Sequence, residues 1–132
     1  MVNIQSDISE VNTSAQKTFA FLCNMNNWQG LMPKEVTKWE SQEGNCSFTL
    51  GGMASIGLRL NEHTSPSLIK IISEGKSPFT FDLHVEIKET GTNTCTVQLL
   101  FHGDMNMMMR MMAEKPLTNF FNYLSHKMRG IS

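Results

Sequence analysis

Six of the eleven methionines lie in a short run between Met105 and Met112. A thioether sulfur is a soft ligand that selects copper(I), so Met105, Met108, Met109 and Met112 could converge on that ion. Methionine is also an unbranched, adaptable side chain that fills cores and lines cavities. From Met109 an apolar stripe continues at helical spacing through Ala113, Leu117, Phe120, Leu124 and Met128. The stripe favours packing in a core or cavity wall over a copper site, and we predict no metal site.

Two groups of ionisable residues could perform acid-base chemistry. Asp82, His84 and Glu86 alternate along one strand, where they could also hold a divalent metal. Because they alternate with apolar residues, we expect them to face solvent. His102 and Asp104 lie where the last strand meets the last helix, near the mouth of any cavity there. We predict no catalytic residue, and these two are the candidates for a proton-transfer pair if one exists.

Composition limits the classes of function. The 132 residues fit one domain, residues 1 to 132, with 40% hydrophobic residues and a formal charge of -1. The sequence contains no basic block of the kind that binds nucleic acid, so no nucleic-acid partner is expected. No apolar run approaches the roughly 20 residues of a membrane span. The first residues lack the pattern of a secretory signal, so the expected location is the cytoplasm. Cys23, Cys46 and Cys95 are predicted to be buried reduced thiols, and no cofactor is predicted.

The first third of the chain predicts a strand and two short helices. Residues 2 to 10 alternate as a strand, with Val2, Ile4 and Ile8 on one face. Thr13 and Gln16 have the spacing of a capping box, which predicts that a helix begins there. Residues 24 to 33 predict a second short helix, which ends at a proline.

The middle of the chain predicts an antiparallel sheet. Strand-like runs cover residues 36 to 42, 45 to 50, 54 to 62, 67 to 74, 79 to 89 and 93 to 105. Residues typical of turns separate them at 44 to 45, 51 to 52, 65 to 66, 75 to 78 and 91 to 93. Short links between consecutive strands make those strands antiparallel.

The last segment predicts one long helix. Asp104 or Asn106 can cap its start, and Gly130 is suited to its end. Pro116 lacks the N–H that would bond to the carbonyl of Met112, so we expect a kink or break between these two residues. The fold class is therefore α+β.

This order of elements resembles that of the START-like, or SRPBCC, superfamily. The segment TSAQKTFAFLCNMNNWQGLMP, residues 13 to 33, looks like the helix pair of that family. The run SPFTFDLHVEIKE and the helix opening MMMRMM are similar to segments of small bacterial members. The resemblance covers essentially the whole chain and rests on pattern and order, because the superfamily has no invariant catalytic motif.

The resemblance implies a helix-grip fold, in which a curved seven-stranded antiparallel sheet wraps around a long C-terminal helix. Members bind lipids, sterols, quinones or polyketides between helix and sheet, and some are cyclases or dehydratases. Placed on that fold, the apolar residues predict an apolar wall for a hydrophobic ligand. The predicted wall is Phe48, Ile56, Leu58, Ile69, Ile71, Phe81, Leu83, Val85, Leu99, Phe101, Met108, Met109, Met112, Phe120 and Leu124.

Three hypotheses about function follow. The first is a carrier for a small hydrophobic ligand, with Pro116 as the hinge of a methionine-rich lid. The second is a cyclase, dehydratase or hydrolase that uses His102 and Asp104. The third is an interaction module with a filled core, whose surface binds a partner protein or a second copy of the chain as a homodimer. An empty apolar cavity of roughly 300 Å³ or more would favour the first hypothesis, and a filled core the third.

Overall fold

The computed structural model describes residues 2–51, 55–75 and 79–131. The strands are β1 (Val2–Gln5), β2 (Ser9–Val11), β3 (Val36–Ser41), β4 (Asn45–Leu50), β5 (Ser55–Thr64), β6 (Leu68–Ser73), β7 (Phe81–Gly91) and β8 (Thr94–Gly103). The helices are α1 (Ala15–Leu22), α2 (Met107–Lys127) and two 3₁₀ helices (Met25–Leu31 and Met128–Gly130). The predicted turn positions 52 and 76 to 78, and the predicted strand start at residue 54, lie outside the described residues.

One antiparallel sheet contains all eight strands. Its order is β1-β8-β7-β6-β5-β4-β3, and β2 also pairs with β8. The register shifts between Thr37 and Glu40, between Leu60 and His63, and between Glu89 and Gly91. Such irregularities bend strands, and the sheet is curved. The predicted helix-grip architecture is confirmed: a curved antiparallel sheet, two short helices between β2 and β3, and a long C-terminal helix. The sheet has eight strands and not the predicted seven, because the first predicted strand is split in two.

The first predicted strand is split into β1 and β2. Gln5 pairs with Leu100, but Ser9 pairs with Val97, so this edge contains one more residue than β8 does. An extra residue reverses which side chains face the core. The prediction that Ile8 shares a face with Val2 and Ile4 is therefore wrong: Ile8 is 59% exposed, whereas Val2 and Ile4 are buried and Ser9 is buried in place of Ile8.

Helix α1 begins one residue later than the sequence predicts. The side chain of Ser14, not Thr13, accepts a hydrogen bond from the backbone N–H of Lys17 at 3.2 Å, while Thr13 is buried. The second short helix is the 3₁₀ helix Met25–Leu31. Its Trp28 is fully buried and donates its indole N–H to the carbonyl of Leu22 at 2.9 Å, which ties the two helices together.

Helix α2 runs without interruption from Met107 to Lys127. The side chain of Asn106 caps it by accepting the N–H of Met109 at 2.8 Å. Of the predicted kink or break between Met112 and Pro116, the break is absent, since the helix continues through the proline. Pro116 has no N–H, so the carbonyl of Met112 receives no hydrogen bond from it.

Burial alternates along the central strands as the sequence predicts. In β7, Phe81, Leu83 and Val85 are buried, while Asp82 and the residues that alternate with it are exposed or half-buried. The buried faces of β7 and β8 lie under α1 and α2. None of the helices in the described part of the chain has the length and hydropathy of a membrane-spanning segment.

The thiols affect stability at high pH. The described residues contain no disulfide, Cys46 and Cys95 are buried, and Cys23 is half-buried. Burial, with a smaller contribution from the charge of Glu74, raises the pKa of Cys46 from 9.0 to about 12. Between these values the unfolded chain loses a proton that the folded chain keeps.

Stability should therefore be complete below pH 9 and should fall as the pH rises toward 12. At about 1.4 kcal/mol per pH unit, the Cys46 thiol accounts for up to roughly 4 kcal/mol of that loss. Urea unfolding between pH 7 and 11 measures it. Cys46→Ala should be less stable at neutral pH, but its stability should fall less steeply above pH 9. Parallel pH profiles for wild type and variant would contradict this assignment.

Candidate functional site

An apolar space lies between α2 and the concave face of the sheet. Its lining contains apolar side chains only: Phe48, Ile56, Leu58, Phe79, Phe81, Leu83, Phe101, Leu117, Phe120, Phe121 and Leu124. Its volume is about 10 Å³, roughly the space that one water molecule requires. The interior is therefore closed, and no ionisable group lines it.

Six phenylalanine rings fill this space and form what we call the phenylalanine cluster: Phe48, Phe79, Phe81, Phe101, Phe120 and Phe121. The ring of Phe101 lies 5.3 Å from that of Phe81 and 5.2 Å from that of Phe121. Phe120 contacts Phe121 at 5.4 Å and Phe48 at 5.7 Å. Because these separations are typical of attractive aromatic pairs, the cluster joins α2 directly to the sheet.

A surface groove runs beside the same helix. It has a volume of about 670 Å³ and lies between α2, the end of β4 and the segment before β3. Its lining residues are Pro33, Glu35, Leu50, Gly51, Met112, Lys115, Pro116, Asn119, Phe120 and Tyr123. Phe120 lines both the groove and the inner space, and its side chain is only 5% exposed. This ring therefore forms part of the wall between groove and interior.

Eight of the predicted wall residues line the inner space: Phe48, Ile56, Leu58, Phe81, Leu83, Phe101, Phe120 and Leu124. Four others are buried in the core but do not line it: Ile69, Ile71, Val85 and Leu99. Helix α1 covers part of β7 and β8, so alternation alone does not tell which helix a buried strand residue faces. Met109 is half-buried and packs at the edge of the core.

The prediction that Met108 and Met112 face the interior needs correction. Met108 is 73% exposed and Met112 is 70% exposed, and Met112 lines the outer groove instead. The reason is helical geometry. At about 100° per residue, both side chains point more than 100° away from the buried stripe that contains Ala113, Leu117 and Leu124.

Three residues of the inner lining are missing from the predicted wall. Leu117 belongs to the apolar stripe of α2, and Phe79 belongs to the alternating run before β7, so the sequence contains a signal for both. Phe121 lies four residues after Leu117 and three before Leu124, so helical spacing places it beside the stripe, and its ring contacts those of Phe101 and Phe120.

The ionisable candidates that belong to strands lie on the outer face of the sheet. His102 alternates with the buried Phe101 and Gly103, and its Nδ1 lies 2.7 Å from Oδ1 of Asn3. Asp104 is exposed, and neither residue lines the inner space or the groove. Asp82, His84 and Glu86 are on this outer face too. Among the described residues, no three His, Cys, Asp or Glu side chains are placed to hold a metal ion.

Comparison with known proteins identifies the architecture. No protein-family model and no curated protein matches the sequence. Among solved structures, a START superfamily protein from Mycobacterium smegmatis superposes with a TM-score of 0.69 over 97% of this chain and 94% of its own, at 12% identity. The chain has a START-like fold.

Two further structures share this START-like fold. A protein from Thermus thermophilus gives a TM-score of 0.72 at 11% identity, covering 97% of this chain and 94% of its own. A truncated norcoclaurine synthase from Thalictrum flavum gives 0.68 at 14% identity, covering 94% and 91%. In this chain, α2 is the long C-terminal helix around which the sheet curves, and the phenylalanine cluster fills the space between them.

Adjacent residues of β8 should respond very differently to truncation. Phe101 is 2% exposed at the centre of the phenylalanine cluster, so Phe101→Ala should cost about 3 to 5 kcal/mol of stability. His102→Ala removes only an outer contact and should cost less than about 1 kcal/mol. Equilibrium urea unfolding of both variants measures this. A loss for His102→Ala as large as that for Phe101→Ala would mean that the outer face is structurally essential.

Proposed function

We propose that the protein binds a small hydrophobic molecule, such as a lipid, quinone or polyketide, between α2 and the curved sheet. It acts as a binding or carrier domain, and it has no catalytic residue. The observation that supports this most directly is the position of Phe120 in the wall that separates the groove from the interior. Rotation of this one ring would join the groove to the inner space.

The volumes and the lining support a site that opens when the ligand enters. The groove, at about 670 Å³, lies within the roughly 300 to 1,000 Å³ of small-molecule sites. The inner space alone is far too small for a ligand. An apolar ligand that displaced Phe120 would replace its contacts with Phe48 and Phe121, and would gain about 25 cal/mol for each Å² of apolar surface it buried.

The START-like fold and the free thiols agree with this proposal. The structural neighbours include a START superfamily protein and a norcoclaurine synthase that was solved in complex with dopamine and hydroxybenzaldehyde. We place the protein in the cytoplasm, where thiols stay reduced, because Cys23, Cys46 and Cys95 are all free.

A cyclase or dehydratase is the enzymatic alternative, and it would need ionisable groups near the ligand. His102 is on the outer face of the sheet and Asp104 is exposed just after the end of β8, so they are poor candidates for that role. The groove is lined by Glu35, Lys115 and Tyr123, which are the ionisable side chains that a bound ligand would meet first. The variant Lys115→Met would test whether the groove has a catalytic role: it should abolish turnover of a substrate if Lys115 takes part in the reaction, and leave ligand binding in place.

An interaction module is the second alternative, and the closed interior favours it. A core with about 10 Å³ of free space needs no ligand to be stable. In that case the protein would act through its surface, either on another protein or as a homodimer. Uptake of a ligand by the purified protein separates this alternative from the carrier.

Two neighbouring phenylalanines provide a matched test of entry. Phe120→Ala removes the wall shared by groove and interior, whereas Phe121→Ala enlarges the interior and leaves that wall in place. We expect Phe120→Ala to take up a fluorescent apolar probe such as anilinonaphthalene sulfonate at least about tenfold faster than Phe121→Ala. Stopped-flow fluorescence measures the rates, and circular dichroism confirms that both variants fold.

Each variant removes a buried ring and should cost about 3 to 5 kcal/mol, so the Leu variants at both positions serve if either Ala variant unfolds. Equal uptake rates would contradict entry past Phe120. Native mass spectrometry of wild-type protein from its own host tests the function itself. A co-purifying hydrophobic molecule supports the carrier, whereas an empty protein that takes up no apolar probe contradicts it.

A further inference from the structure

The methionines of the chain occupy two different environments. Met25 and Met128 are fully buried, as expected for core residues. Four others at the start of α2 are among the most exposed large apolar side chains of the described chain, at 78%, 73%, 80% and 70% exposed: Met107, Met108, Met111 and Met112. We call these four the exposed methionines. Packing in a core or cavity wall does not explain side chains that water surrounds.

The exposed methionines form one compact array. At about 100° per residue, they span roughly 140° of the helix surface, on the side opposite the stripe of Ala113, Leu117 and Leu124. Met107 and Met111, like Met108 and Met112, are four residues apart, and Met108 and Met111 are three apart. Residues at these spacings are neighbours, with Cβ atoms about 5 to 6 Å apart. Each thioether lies on a chain with three rotatable bonds, so neighbouring sulfurs can turn toward one point.

We propose that the exposed methionines form a surface site for a soft monovalent metal ion of the copper(I) class. Thioether sulfur is a soft, uncharged donor that selects such ions over zinc, magnesium and calcium. Among the described residues, no group of three or more His, Cys, Asp or Glu side chains forms a competing metal site. The sequence pattern favours packing over metal binding, but that argument depends on burial, and these four residues are exposed.

The charged groups near the exposed methionines affect how strongly a cation binds there. Nε of Arg110 lies 2.9 Å from Oε2 of Glu114, so the guanidinium is held by a carboxylate one turn further along α2. The positive end of the helix dipole weakens binding of a cation near residue 107, as does the ordering of four flexible side chains. Both effects favour a site of moderate affinity, which loads when the ion is abundant and releases it readily.

Leucine variants separate metal coordination from simple apolar contact. The variant M107L/M108L/M111L/M112L keeps an apolar, helix-forming surface but removes all four sulfurs. The control M32L/M128L removes two sulfurs outside this array, one half-buried and one buried. Wild type and both variants are titrated anaerobically with silver(I), and with copper(I) in competition with a chromogenic chelator. Methyl spectra of protein labelled at the methionine ε-carbon report which sulfurs bind. The same titrations are repeated on Cys23→Ala, because Cys23 is a half-buried thiol that also binds soft ions.

If the exposed methionines bind the ion, we expect one ion per chain and chemical-shift changes confined to the methyl groups of these four residues. The affinity for the ion should fall at least about tenfold in the fourfold leucine variant. The control and Cys23→Ala should bind as wild type does. The proposal is overturned if the fourfold variant binds equally well, if binding disappears in Cys23→Ala, or if zinc shifts the same methyls at equal concentration. Because Met112 also lines the groove, independence from the hydrophobic-ligand site is tested with M107L/M108L/M111L, which leaves the groove lining unchanged and should take up the apolar probe as wild type does.

Discussion

Aromatic contacts between α2 and the sheet are the interaction that holds this fold together. Phe101 of β8 and Phe121 of α2 lie with ring centres 5.2 Å apart, and Phe48 of β4 and Phe120 of α2 lie 5.7 Å apart. These pairs attach the helix to two separate parts of the curved sheet. Each ring buries a large apolar area, so these pairs supply much of the driving force that packs the helix against the concave face of the sheet. The closed interior and the groove both follow from this attachment.

The same contacts restrict what the interior can do. An inner lining without ionisable groups offers no acid or base, so specificity there would come from shape and apolar area. Shape discriminates poorly among hydrophobic molecules of similar size. Polar recognition would have to come from the groove, where Glu35, Lys115 and Tyr123 surround the outer side of Phe120. A ligand with an apolar body and a polar end would match this division between interior and groove.

Helix α2 presents two surfaces with different chemistry. One side carries the apolar stripe that meets the sheet, and the other carries four thioethers in solvent. Both sides consist of side chains that count as hydrophobic in composition, so the helix is apolar almost all round at its start. Position around the helix, and not residue type, therefore separates packing residues from residues available to an external ligand.

The amino-acid sequence was enough to predict the order of elements and the α+β class, and the resemblance of that order to the START-like superfamily implied the helix-grip architecture. Alternation in β7 and β8 has a fixed period of two, so residues such as Leu83 and Phe101 could be assigned to the core with no knowledge of their neighbours. The stripe of Leu117, Phe120 and Leu124 was equally visible, because its period is that of a helix. These local patterns also identified eight residues of the inner lining.

The remaining features required the three-dimensional structure, because they depend on contacts between distant segments. The extra residue opposite β8 turned Ile8 outward, which no local pattern reveals. Helical spacing accounts for the exposure of Met108 and Met112 and for the inward position of Phe121, but only the tertiary structure decided that this helix meets β4 and β8. Whether the space between helix and sheet is open or filled depends on how the six phenylalanine rings meet. Side-chain volume alone does not specify that arrangement, since the same rings could leave a cavity if the helix lay slightly further from the sheet.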